Sequence, residues 1–175
     1  MTEKLTSDHK NVTIGDLEIT IRPITPEDKH LEAAFVKKLS MQTKYERFFE
    51  GLKELSPSML NVLSNIDYVD TMAYIATIKT EEGEKEVGMC RYAADKVPGE
   101  SEMAITVADD YPYEEVATVL LHSLFEHAKA NNIKRLFSIE LSSNYRIKKL
   151  AEHLGMSAKV HPEDATLILY SLLLK

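Results

Sequence analysis

The stretch Glu102-Met103-Ala104-Ile105-Thr106-Val107 decides the fold, together with the residues Ala108-Asp109-Asp110-Tyr111-Pro112 that follow it. Its apolar residues alternate with more polar ones, which is the period of a half-buried strand, and the prolyl segment ends it. Residues 113–130 then carry apolar side chains on two neighbouring helical rows, so the sequence predicts a long helix there. We interpret the rest of the chain outward from this strand and helix.

The flanking segments predict an α/β chain with a mixed sheet. Upstream we expect a strand from Leu17, a helix over 26–39, a short helix from Ser56 and strands at 71–78 and 86–94. The three β segments before Ala108 follow one another with short connections, as in an antiparallel meander. Downstream we expect a strand at 136–141, a helix that stops at Gly155, and two final strands. Residues 17–175 are predicted to form one domain after a flexible arm at 1–16.

Composition excludes several classes of function. The chain has 175 residues and a formal net charge of −7, so it lacks the overall basic character that nucleic-acid binding needs. No apolar run approaches the ~18 residues of a membrane span, and no signal-peptide core occurs near the start. The single cysteine, Cys90, is expected to be a buried small side chain, and cysteine scarcity favours the cytoplasm. The histidines are scattered without metal-ligand spacing, so no metal site is expected.

Four stretches, in order along the chain, resemble one known family. They are Ile21–Asp28, Leu39-Ser40 with Lys44–Phe49, Glu102–Tyr111, and Ser143-Asn144 with Leu150–Met156. Together they resemble the GNAT superfamily of acyl-CoA-dependent N-acyltransferases, and within it the Pat-type protein lysine acetyltransferases. The resemblance implies a mixed, mostly antiparallel sheet of seven strands flanked by about four helices. It also implies transfer of acetyl from acetyl-CoA, by direct attack in a ternary complex, to a small amine or a protein lysine. Because many GNAT proteins form dimers, the resemblance also suggests a homodimer.

The resemblance places a cofactor site at the start of the long helix. In the family, the strand that corresponds to 102–108 separates from the strand that corresponds to 135–141, and the pantetheine arm of the cofactor lies in the gap. The pyrophosphate binds at the N-terminus of the following helix, where unpaired N–H groups attract anions. The positions that match are Val107, Ala108, Pro112, Tyr113, Glu115, Val116, Ala117, Thr118 and Asn144.

This site departs from the family pattern, which has Gln or Arg, two residues, Gly, one residue, then Gly or Ala. Here Pro112 replaces the first residue and Glu115 the central glycine, so that only Ala117 fits. Glu114 and Glu115 either stabilise the helix dipole or oppose a phosphate.

The resemblance also assigns roles to individual side chains. Glu102 matches the glutamate of the Pat-type subgroup and is the candidate base, although its position is equally typical of an exposed strand start. Asn144 either contacts the cofactor or caps the last helix. Ala151 stands where many members have a tyrosine that protonates the departing thiolate. We expect Arg146, Lys148 and Lys149 to form a solvated face.

A second interpretation follows from Pro112 and Glu115. A catalytically degenerate GNAT fold could serve as a binding or regulatory module that binds CoA weakly or not at all. A third, an RNA surface at the basic and aromatic residues 44–49, is disfavoured by the acidity of the chain.

Overall fold

A computed structural model describes residues 8–175, which form one eight-stranded sheet with helices on both faces. The strands are β1 (Lys10–Ile14), β2 (Leu17–Pro23), β3 (Thr71–Thr80), β4 (Gly83–Ala94), β5 (Glu100–Val107), β6 (Arg135–Leu141), β7 (Ser157–Val160) and β8 (Leu167–Leu173). The helices are α1 (Lys29–Lys38), α2 (Met41–Phe48), α3 (Pro57–Ser64), α4 (Tyr113–Ala130) and α5 (Tyr145–His153). The sheet order is β1-β2-β3-β4-β5-β6-β8-β7, and only the β5–β6 pair is parallel among the described strands.

The predicted α/β class and mixed, mostly antiparallel sheet are confirmed, with one more strand than expected. The flexible arm predicted for 1–16 is wrong for Lys10–Ile14, which pairs antiparallel with β2 through the turn at Gly15. The first seven residues of that arm lie outside the described residues. An additional helix, α2, occupies part of the segment 40–49, for which the sequence predicted no element.

A buried ion pair joins β2 to the turn before α1. The Arg22 guanidinium donates two hydrogen bonds of 2.7 Å to the carboxylate of Asp28. Asp28 also accepts the backbone N–H of Thr25 at 2.8 Å, which caps the first turn. Burial would raise the pKa of Asp28, but the hydrogen bonds from Arg22 and Thr25 outweigh it and lower the pKa. The resemblance at 21–28 therefore has a physical basis in the contact between its first and last charged residues.

Two hydrophobic cores lie on opposite faces of the sheet. The first lies under α4 and α5 and includes Leu120, Leu124 and Leu150. The second lies under α1 and α3 and includes Phe35 and Ile75. Cys90 is buried and its thiol donates to the carbonyl of Leu120 at 3.4 Å, as expected for a small interior side chain.

Gly88 lets α4 lie close to β4. A Cβ at this position would stand 3.1 Å from Leu120 Cδ1 and 3.2 Å from Val116 Cγ1, closer than ordinary packing permits. The first two turns of α4 are therefore pressed against the sheet, and this fixes the height of the N-terminus of α4 above β5.

The β5 and β6 strands pair over a short distance and then separate. Their register includes only three pairs, Glu100–Arg135, Ser101–Leu136 and Glu102–Phe137. Beyond these, β5 continues to Val107 beside β4, and β6 continues to Leu141 beside β8. A wedge-shaped gap therefore opens in the middle of the sheet.

Candidate active site

A cavity of about 310 Å³ fills the gap between β5 and β6. Its walls come from both strands, from α2, and from the first turns of α4 and α5. The cavity is therefore lined by elements from both faces of the sheet.

Glu102 stands where the strands part. It is the last residue of β5 that pairs with β6, and its side chain lines the cavity. The residue is exposed and forms no hydrogen bond or ion pair with the other described residues. A carboxylate in this situation is free to accept a proton from a molecule in the cavity.

A second carboxyl group, Glu140, lines the same cavity from β6. Its residue is 9% exposed, and Ser138 Oγ donates a hydrogen bond to Glu140 Oε1. Burial raises the pKa of Glu140 to about 7, although the hydrogen bond from Ser138 and the charge of Arg47 act in the opposite direction. Sequence reasoning missed this residue; the signal was the alternation of Ser138 and Glu140 with apolar neighbours in the strand predicted at 136–141.

Arg146 lines one side of the cavity and is only partly exposed to solvent. Its Nη2 donates to Thr43 Oγ1 at 3.2 Å and to Glu46 Oε2 at 3.1 Å. Its guanidinium also lies 4.8 Å from the centre of the Tyr113 ring, a cation–π contact. The prediction of a solvated face holds only in part for Arg146, whose side chain is 38% exposed because α2 packs against it, while Lys148 and Lys149 are exposed.

The loop after β5 holds α2 in place through Asp109. The Asp109 carboxylate accepts the backbone N–H of Ser40 at 2.9 Å and the Thr43 hydroxyl at 2.6 Å. Ser40 Oγ also donates to it at 2.9 Å, while accepting the N–H of Thr43 as the N-cap of α2. The cofactor loop expected from the family is therefore joined directly to the wall of the cavity.

The N-terminus of α4 has donors that suit an anion. Its N-cap is Pro112, which supplies no side-chain hydrogen bond, and the first backbone N–H groups of a helix have no intrahelical partner. The side chains of Glu114 and Glu115 are exposed, and Glu114 Oε1 lies 3.8 Å from His153 Nδ1 on α5. The backbone N–H groups here suit an anion, whereas the two acidic side chains add opposing charge.

The remaining predicted cofactor residues contribute in different ways. The side chains of Val107, Val116 and Ala117 are fully buried, so only their backbone can face a ligand. Ala108 N–H already donates to the carbonyl of Val87 at 2.8 Å, and the Thr118 hydroxyl donates to Glu114 O at 2.6 Å. Tyr113 lines the cavity, and burial, with the charge of Glu140, raises the pKa of its phenol.

Asn144 satisfies one of its two interpretations. Its Oδ1 accepts the N–H of Ile147 at 3.2 Å, which is a helix N-cap. The residue also lines the cavity, so a cofactor contact stays a prediction.

The basic segment at 44–49 does not form a cationic surface. Lys44 is buried, and its ammonium donates to the carbonyls of Lys37 at 3.2 Å and Lys53 at 2.6 Å. Within residues 8–175 no three His, Cys, Asp or Glu side chains are grouped so that they could hold a metal ion. Over the same residues, every helix is too short or too polar to cross a membrane.

A sheet split beside a helix N-terminus, with a carboxylate at the apex of the split, is the arrangement that the resemblance implies for an acyl-CoA-dependent transferase domain. Residues 18–157 match the family model described as Acetyltransferase (GNAT) domain. The chain is also 36% identical over 157 residues to Acetyltransferase PA5475 of Pseudomonas aeruginosa, covering 89% of this chain and 84% of that protein. The chain belongs to the GNAT acetyltransferase family.

Solved structures place the fold within this family. The GNAT domain of S. lividans PAT superposes with a TM-score of 0.85 at 24% identity, covering 96% of this chain and 98% of that one. A GNAT-family acetyltransferase from Streptococcus pneumoniae superposes with a TM-score of 0.72 at 19% identity, covering 90% of this chain and all of that one. Acetyltransferase Pat of Mycolicibacterium smegmatis is 25% identical over 138 residues, covering 77% of this chain but only 40% of that protein. The predicted resemblance to GNAT domains, including that of a Pat protein, is confirmed.

Proposed function

We propose that this protein transfers acetyl from acetyl-CoA to an amine, with a protein lysine as the leading acceptor, by direct attack in a ternary complex. The observation that carries the proposal is the position of Glu102 at the apex of the gap between β5 and β6. A cofactor that lies between the strands would place its thioester close to Glu102. An amine that enters the cavity would therefore meet both the thioester and this carboxylate.

Glu102 acts as the base in this proposal. An amine attacks a thioester only when its nitrogen lone pair is free, so the ammonium form must first lose a proton. Since Glu102 is unpaired within the described residues, it can take that proton directly or through one water. The net negative charge of the chain also favours the approach of a cationic acceptor.

Acetyl-CoA binding in this proposal relies on the backbone more than on side chains. The splayed edge of β5 offers N–H and C=O groups to the pantetheine, and the first turn of α4 offers N–H groups to the pyrophosphate. The missing glycine at Glu115 weakens this binding without removing those donors.

The test compares the wild-type protein with Glu102→Gln. Acetyl-CoA binding is measured by calorimetry, and CoA release is measured with a lysine-containing peptide as the acceptor. We expect kcat to fall about 100- to 10,000-fold at neutral pH, the usual contribution of a general base, with little change in acetyl-CoA affinity. Glu18→Gln, an exposed glutamate on β2, is the matched control and should behave as wild type. A folded wild-type protein without binding at millimolar acetyl-CoA would overturn the proposal.

The degenerate binding module is the second candidate function, and it rests on Pro112 and Glu115. It predicts that Glu115→Gly creates CoA binding that the wild type lacks. Family membership and the cavity at Glu102 favour the enzyme instead. The cytoplasmic location and the homodimer stay predictions.

A further inference from the structure

We infer that Glu140 is the proton donor to the departing CoA thiolate, an inference that rests on the proposed acetyl transfer. Its carboxyl group and that of Glu102 would then divide the proton transfers between them, one on each face of the split sheet. Ala151, at the position where many relatives have a tyrosine acid, is buried and has no proton to give.

Register places the two carboxyl groups on opposite faces of the sheet. Glu102 pairs with Phe137, so these two side chains share a face, and Glu140, three residues further along β6, has the opposite orientation. Glu140 pairs with Ile168, which packs into the first core under α4 and α5. Thr106, on the same face of β5 as Glu102, pairs with Met89 of the second core. Glu102 therefore faces the α2 side, and Glu140 faces the side on which α4 and α5 begin.

The α4 side is where the resemblance places the cofactor. A thioester that lies in the gap with its pyrophosphate on α4 presents its sulfur to groups on the α4 face of β6. Glu140 lines the cavity there beside Tyr113 and Asn144. The acceptor amine then approaches from the α2 side, which Glu102 faces.

The surroundings of the two groups suit opposite tasks. Glu102 is exposed, whereas Glu140 is buried and its pKa is raised to about 7. Two carboxyl groups in one site with contrasting environments are the usual basis for dividing acid and base roles. A carboxyl of this strength can protonate a thiolate, since ordinary thiols have a pKa of about 8.5.

The protons balance over one turnover. Glu102 takes one proton from the ammonium, and the amine nitrogen attacks the carbonyl carbon, whose C=O electron pair moves to oxygen. When the carbonyl re-forms, the C–S bond breaks and the sulfur takes the proton of Glu140. The nitrogen then loses its second proton to water. Glu140 recovers one proton from water and Glu102 releases one, so amide, CoA thiol and one net proton are formed.

Several other groups lie around Glu140. They are Ser138 on β6, Arg47 and Glu46 on α2, Glu102 on β5, Tyr113 on α4, Arg146 on α5 and Tyr170 on β8. Burial is the largest effect, the Ser138 hydrogen bond and Arg47 lower the pKa of Glu140, and Glu46 and Glu102 raise it. A substitution of Ser138 changes the pKa of Glu140 most directly, because the Ser138 hydroxyl donates a hydrogen bond to Glu140 itself.

The experiment records kcat/KM for acetyl-CoA against pH, at saturating lysine-containing peptide. The wild-type rate should fall as pH rises through about 7, because the donor must be protonated. Glu140→Gln should lower kcat/KM about 100-fold and abolish this alkaline fall. Ser138→Ala should move the fall to higher pH, because it removes a hydrogen bond that lowers the pKa of Glu140. Glu126→Gln, an exposed change on α4, should reproduce the wild-type profile.

The outcomes separate this inference from the proposed function. A wild-type protein that binds acetyl-CoA without acetylating the peptide would overturn the proposed function, and this inference with it. A Glu140→Gln or Ser138→Ala protein that is active with the wild-type alkaline fall would overturn the inference alone. Calorimetry on each variant separates a loss of cofactor binding, which a structural role would cause, from a loss of the protonation step.

Discussion

Glu115 places a negative charge on the first turn of α4, where the family pattern has glycine. Its side chain is exposed and has no ion-pair partner among the described residues. A carboxylate stabilises the dipole of the helix, but it also repels an anion that binds to the same N-terminus. The protein therefore has a helix end that is more stable alone and less suited to phosphate.

Neutralising this residue should strengthen cofactor binding. In Glu115→Gln the shape of the side chain is kept, and we expect acetyl-CoA to bind about fivefold more tightly at low salt, as removal of one like charge at about 4 Å in water implies. The gain should shrink as salt is raised to about 1 M, where the Debye length is about 3 Å. Calorimetry at two ionic strengths measures both effects. Equal affinities for this variant and the remote control Glu126→Gln would contradict the prediction.

Helix α2 has an inverted arrangement of polar and apolar residues. Its buried residues are Thr43 and Lys44, whereas Met41 and Tyr45 are 56% and 49% exposed. Little apolar burial therefore holds α2 against the sheet, and polar contacts to Asp109 and Arg146 do so instead. Burial would raise the pKa of Asp109, but the hydrogen bonds from Thr43 and Ser40 outweigh it and lower the pKa.

Removing the charge of Asp109 should loosen this helix selectively. We expect Asp109→Asn to lose about 1 kcal/mol of folding stability, because charged hydrogen bonds from Ser40 and Thr43 become neutral ones, and to exchange the amide hydrogens of α2 faster than those of α4. Hydrogen exchange followed by mass spectrometry measures this. The adjacent exposed Asp110→Asn is the control. Uniform acceleration throughout the protein would contradict a local role.

In wild type the same contact makes α2 sensitive to acid. The pKa of Asp109 is lower in the folded protein than in the unfolded chain. The contribution of Asp109 to folding stability is therefore complete at a pH above its unfolded pKa, and it is lost as the pH falls through its folded pKa.

The second core encloses two carboxyl groups that face each other. Glu32 is 0% and Glu86 is 2% exposed, and their four oxygens accept no hydrogen bond from N–H or O–H groups of other described residues. The nearby Arg91 instead donates to the carbonyl of Leu63 at 2.6 Å. Burial, followed by the charge of Glu32 and a hydrogen bond with it, raises the pKa of Glu86 well above its ordinary value. The folded protein therefore favours the protonated form of Glu86.

The raised pKa of Glu86 should make the whole molecule less stable at higher pH. A carboxyl group whose pKa rises on folding stabilises the folded protein fully when the pH is below its unfolded pKa. That contribution is lost as the pH rises through the pKa of the folded protein. The loss amounts to about 1.4 kcal/mol for each pH unit between the two pKa values. Glu86→Gln, whose amide can donate to Glu32 without a titrating proton, should remove this decline.

Denaturant unfolding between pH 5 and pH 9 provides the measurement. Glu82→Gln, an exposed neighbour in the β3–β4 turn, is the matched control and should keep the wild-type slope. A Glu86→Gln protein that is destabilised at every pH and keeps the wild-type slope would refute this role of Glu86.

Sequence reasoning found the elements whose apolar residues face the interior. The alternation in β5 and the two apolar rows of α4 were sufficient, because burial imposes those periods. It missed β1 and α2, whose stability comes from backbone pairing and polar caps rather than from apolar periodicity. The segment Lys10–Ile14 gave a weak pattern because its only apolar residues, Val12 and Ile14, are half buried.

The candidate site was predictable only in part. Glu102 was predicted through the resemblance, and the structure places it at the cavity. Glu140 and Arg146 reach the same cavity through contacts between β6, α2 and α5, which are distant in sequence. Since an isolated strand pattern cannot show which strand lies across a gap, such residues become visible only when the sheet is assembled.

The three residue pairs between β5 and β6 also have a mechanical consequence. They are the only ladder in the described sheet that links the β1–β5 part to the β6–β8 part. A small widening of the gap would strain side-chain packing rather than break a long row of hydrogen bonds. The sheet is thus stiff within each part and compliant along one line, and that compliance lies where a bound molecule would press the strands apart.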